Sequence, residues 1–177
     1  MYKEKNSGFP AFDDVDQKQF CYLCDDIVVK NKHIADFIAH GKARHEPIYY
    51  FYSDVGENSN KSHSDPERVA LNDPAIHRVC VNEAGIELIN AKLACDSTEK
   101  IRIIMDLGGC INSPECYAAY VQFSQQFNKG PLADKALLFS IYCMETAKGA
   151  VIQELTQYCH SLLVNGKVLE NPAFQPL

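Results

Sequence analysis

The stretch Phe20-Cys21-Tyr22-Leu23-Cys24-Asp25-Asp26-Ile27-Val28-Val29-Lys30-Asn31-Lys32-His33-Ile34-Ala35-Asp36-Phe37-Ile38-Ala39-His40-Gly41-Lys42-Ala43-Arg44-His45 carries the most specific chemical pattern in the chain. Two cysteines are followed by two histidines at the spacing C-x2-C-x15-H-x4-H. Zinc asks for four soft or borderline ligands in a tetrahedron. A C-x2-C pair on a tight turn brings two thiolates to one point, and histidines about one turn apart project from one face of a helix. Ile27-Val28-Val29 reads as a short strand, Lys30-Asn31-Lys32 as its turn and Asn31 as a cap for the helix that follows. Ile34, Phe37 and Ile38 share a face of that helix, giving the unit a small core. The pattern predicts a Zn2+ site formed by Cys21, Cys24, His40 and His45, with the metal supplying much of the folding free energy.

This segment is similar to the two-cysteine, two-histidine zinc fingers. His40-Gly41-Lys42-Ala43-Arg44-His45 resembles the matrin-type subgroup, in which Gly-Lys commonly lies between the two histidines. The resemblance implies a nuclear protein whose finger contacts RNA or a ribonucleoprotein partner. It covers residues 20–45 of 177. The gap between the pairs is longer, and the histidine gap shorter, than that subgroup usually has. Lys30 and Lys32 at the hairpin tip, with Lys42 and Arg44 beside the second ligand pair, are the candidate phosphate contacts. Asp25, Asp26, Asp36 and Glu46 oppose them, leaving residues 17–46 at a net +1.

The net charge of the whole chain is −6, which argues against non-specific coating of nucleic acid. No stretch approaches the ~20 apolar residues of a membrane span. The polar, acidic start of the chain does not read as a secretory signal, so its eight cysteines predict reduced thiols rather than a disulfide framework. These features predict a nuclear or cytoplasmic protein that is not secreted. No hydrolase, kinase or dinucleotide signature is present, which predicts a non-enzyme.

Outward from the finger the chain divides into five parts. Residues 1–16 read as a mobile acidic arm, 17–46 as the finger, and 47–73 as an aromatic run, Ile48 to Tyr52, followed by a polar linker. Residues 74–164 read as a helical domain and 165–177 as a tail. Asp73-Pro74 is a good helix entry. Ile76, Cys80, Ala84 and Leu88 recur at four-residue spacing. Ile101, Ile104 and Met105 suggest a second helix after Asp96-x-x-Glu99, and Ser113-Pro114-Glu115 opens a third. The segment from Leu132 to Val164 is apolar on nearly every side in its first half, so it belongs at the centre of a bundle. Gly149 marks a kink or break within it, and Asn165-Gly166 its end.

The fold class expected is therefore mainly α, a small ββα zinc finger followed by a four- or five-helix bundle. The expected function is a zinc-finger adaptor: the finger contacts RNA or a ribonucleoprotein, and the helical domain binds a protein partner. The alternative is a protein–protein interaction module in which the finger is purely structural.

Overall fold

In the computed structural model, residues 19–24, 26–52, 73–80, 87, 91, 100–106, 113–129, 132–144, 148–164 and 167–174 are described. They form one seven-stranded mixed sheet with helices on both faces, an α/β architecture. The expected finger-plus-bundle is thereby corrected. The elements in chain order are β1 (Gln19–Cys24), α1 (Ile27–Ala43), β2 (Ile48–Tyr52), β3 (Ile76–Cys80), β4 (Ile101–Asp106), α2 (Pro114–Lys129), α3 (Leu132–Lys135), β5 (Ala136–Cys143), α4 (Gly149–Thr156), β6 (Ser161–Val164) and β7 (Lys167–Glu170). The arm at 1–16, the linker from Ser53 to Asn72, the Asp96–Glu99 cap and the Asn165-Gly166 pair lie outside the described residues.

The strand order is β3-β2-β4-β5-β1-β6-β7. Strands β1 to β6 are parallel, and β7 pairs antiparallel with β6. The connection from β1 to β2 runs one way along the sheet, across β5 and β4. The connections from β4 to β5 and from β5 to β6 run the other way. Right-handed crossovers then demand that α1 cover one face while α2 and α4 cover the other.

The core obeys this demand. Phe20, Tyr22, Ile104, Phe139 and Ile141 face α1, which answers with Ile34, Phe37 and Ile38. Cys21, Ile101, Ile103, Met105, Leu138 and Tyr142 face the other way, onto Tyr120, Phe123 and Phe127 of α2 and Leu155 of α4. Successive strand residues therefore alternate between two cores. A strand buried on both faces reads as a continuous apolar run, which explains the mistaken helices. Interrupted only by Arg102 and Ser140, Ile101–Met105 and Ala136–Tyr142 are such runs, and both are central strands. The segment around Leu137 is indeed central, but as β5 rather than as a bundle helix. The aromatic run Ile48–Tyr52 is β2, held between β3 and β4.

Local capping decides where the remaining helices begin. Ser113 opens α2 as its sequence suggests: its hydroxyl accepts from the Cys116 amide at 3.4 Å and its carbonyl from Tyr117 at 2.9 Å. Asp73 instead makes a turn. Its carboxylate accepts from the Ala75 amide at 2.9 Å, its carbonyl accepts from Ile76 at 2.9 Å, and β3 begins at once. Gly149 is the first residue of α4 rather than a kink within a longer helix. Ile27-Val28-Val29 is the first turn of α1, not a strand, because Asp26 caps the helix directly before it. Among the described residues, no helix is long and apolar enough to cross a membrane.

Candidate functional site

In an open parallel sheet, ligands bind outside the carboxyl ends of the strands, where neighbouring connections diverge. Two such places exist here. The connections leaving β1 and β5 diverge, and so do those leaving β2 and β4. Helix α1 starts at the first place, and from its opening turns Lys30 reaches Asp106 at the second.

The polar groups concentrated there are distinctive. Asp106 is the last residue of β4 and points to the α1 face, in step with Ile104 and Arg102. Lys30, from the first turns of α1, places Nζ 2.8 Å from Asp106 Oδ2. The Tyr50 hydroxyl, from β2, donates to the same oxygen at 3.0 Å. The Lys30 and Asp106 side chains retain only 11% and 13% of their exposure. Burying such a pair at a sheet edge costs desolvation that good geometry barely repays. The ends of β1 and β5 are joined beside it: the Met144 amide donates to the Cys24 carbonyl at 2.8 Å. Next to this polar core stand exposed apolar groups, Ile27, Val28 and Met144, each more than half exposed.

The opposite end of α1 is a packing site. Arg102 is almost fully buried, with Nε 2.5 Å from Glu46 Oε2 and Nη1 3.4 Å from the Phe37 carbonyl. Its guanidinium lies 4.8 Å from the Phe37 ring centroid. Gly41 allows the helix to rest on this arginine: a Cβ there would come within 2.7 Å of Arg102 Cδ and 3.1 Å of Ile48 Cδ1. The helix then stops in a Schellman arrangement. The Glu46 amide donates to Gly41 O at 2.9 Å and the His45 amide to Lys42 O at 3.1 Å, with His45 left-handed at φ 58°. Thus Gly41, Lys42 and His45 of that segment have local structural roles.

The predicted zinc ligands are not brought together. Cys21 and Cys24 lie on a straight strand, three positions apart, and so face opposite sides of the sheet: Cys21 packs among the α2-side core and Cys24 among the α1-side core. Burial and a hydrogen bond to Cys159 push the Cys21 thiol well above its ordinary value. His40 and His45 lie at the far end of α1, with His40 about 20 Å along the axis from Ile27. Among the described residues, no three His, Cys, Asp or Glu side chains group as a metal site.

The four candidate phosphate contacts are also divided. Lys30 is buried against Asp106 at one end of α1. Lys32 is exposed in the same half, whereas Lys42, about 15 Å further along the axis, pairs with Asp73. Arg44 is exposed at the C-cap. Sequence reading missed Tyr50 and Asp106. The available signal was an apolar run ending in an acid, Ile101-Arg102-Ile103-Ile104-Met105-Asp106, which places a carboxylate at the mouth of a buried parallel strand. No family model matches the chain, and comparison with curated proteins finds no match either.

Proposed function

We propose that this chain is a non-catalytic binding module that takes a small organic ligand at the carboxyl edge of its sheet. The polar part of the ligand meets Lys30, Asp106 and Tyr50; its apolar part meets Ile27, Val28 and Met144. The observation that carries this reading is the nearly dry Lys30–Asp106–Tyr50 cluster. It stands at the carboxyl edge, where open parallel sheets bind their ligands, rather than deep in either core. Buried charge at a mouth, flanked by exposed apolar side chains, suits recognition better than stability.

A thermal-shift screen of small organic compounds tests it. Binders of the wild-type chain should lose most of their stabilisation with Tyr50→Phe and Lys30→Met, each variant compared with its own ligand-free melting temperature. Binders that stabilise both variants fully would place the ligand elsewhere. An RNA-contacting role for Lys30, Lys32, Lys42 and Arg44 makes a different prediction: salt-dependent RNA binding that weakens when Lys42 and Arg44 are neutralised. The divided placement of those residues leads us to expect none.

The exposed Ile27, Val28 and Met144 support a second reading, in which a partner protein docks on the same edge. It predicts that Val28→Glu abolishes partner binding and that the compound screen yields no binder.

A further inference from the structure

We infer that the carboxyl-edge crevice is closed to phosphate-bearing ligands, and that Asp26 is the residue that closes it. This rests on the reading of that edge as the binding crevice and names the class of ligand it takes: uncharged or cationic organic molecules with apolar surface.

Phosphates bind strand–loop–helix units through free N–H groups of the first helical turn, approached closely by a glycine-rich backbone. Here each requirement is filled from within. Only Asp25 and Asp26 separate β1 from α1, and no glycine occurs between Gln19 and His40. Asp26 Oδ1 accepts from the Val28 amide at 2.7 Å and the Val29 amide at 3.3 Å. Two of the donors that would hold a phosphate therefore already hold a carboxylate, whose negative charge stands where the anion would sit. The nearby ammonium of Lys30 is drawn to Asp106, which Tyr50 also serves. What the edge offers to a ligand is carboxylate oxygen and the exposed apolar faces of Ile27, Val28 and Met144.

The test uses inorganic pyrophosphate as probe, titrated into the isotope-labelled chain while the amides of Val28, Val29 and Lys30 are followed by NMR. The wild-type chain should show no saturable shift at these amides at millimolar pyrophosphate. Asp26→Gly, which frees the two donors and removes the charge, should show saturable shifts confined to this turn. Asp26→Ser keeps a capping oxygen and removes only the charge; it should give a weaker response of the same kind, and it decides the matter if the glycine variant does not fold. Saturable pyrophosphate binding to the wild-type turn would overturn the inference while leaving the crevice in place. A folded variant with no pyrophosphate response would overturn it as well. Compound binders mapping away from this edge would instead remove the crevice itself.

Discussion

Gly41 shows how a single residue can be read two ways. In sequence it belongs to a histidine–glycine–lysine motif; in the structure it is the point where α1 touches Arg102. Replacing a helical glycine by alanine gains roughly 1 kcal/mol of helix propensity. Here the added methyl would sit 2.7 Å from a buried arginine carbon, and overpacking of that kind costs about 1–3 kcal/mol. Gly41→Ala should therefore destabilise the fold in spite of its better propensity, which a urea titration would register as a lower midpoint. His33 gives a pH dependence. It is buried on α1 with its ring edge-on to Tyr22, centroids 5.0 Å apart. Burial lowers its pKa below the ordinary 6.5; Asp36 opposes this and Lys32 reinforces it. The unfolded chain then takes up the proton first, so this contribution to stability is complete above pH 6.5 and is lost as pH falls through the depressed folded value. Urea midpoints should decline from neutral pH downward across that window, and His33→Gln should flatten the decline.

At the scale of elements, α1 is fastened to one strand at two places. Lys30 reaches Asp106 at the end of β4, and Arg102 near its start reaches Glu46 and the Phe37 carbonyl. Removing one member of a buried pair leaves the other charged and dry. Arg102→Met should cost about 3 kcal/mol, and adding Glu46→Gln should recover part of it, as a double-mutant cycle would show. The same helix explains which signals could be read from sequence. Its apolar face, Ile34-Phe37-Ile38, was legible because it follows helical spacing. Its start was not, because Ile27-Val28-Val29 is β-branched and Asp26, the cap, lies next to a second aspartate. The cysteine pair was misleading for a geometric reason. C-x2-C brings thiols together on a turn, whereas on β1 it sends them to opposite faces. Dialysis against a chelator should therefore leave the melting temperature unchanged; a large drop would restore a metal to the fold.

At the scale of the molecule, the fold was hidden by its own burial. Strands β4 and β5 lie between other strands and beneath helices on both faces, so apart from Arg102, Asp106 and Ser140 their residues are apolar and show no alternation. A run of this kind has the composition of a central helix, and only its shortness and the acid at its end distinguish it. The candidate site was invisible for a related reason: Lys30, Tyr50 and Asp106 come from three separate elements and meet through a sheet order in which β1 and β2 are not neighbours. That meeting is the central claim. Its most direct measurement is amide chemical-shift mapping of the compounds found by thermal shift. Perturbations should gather on Val28, Val29, Lys30, Tyr50, Asp106 and Met144, at the carboxyl edge. Perturbations gathered instead on Arg44, His45 and the opposite edge of the sheet would contradict it.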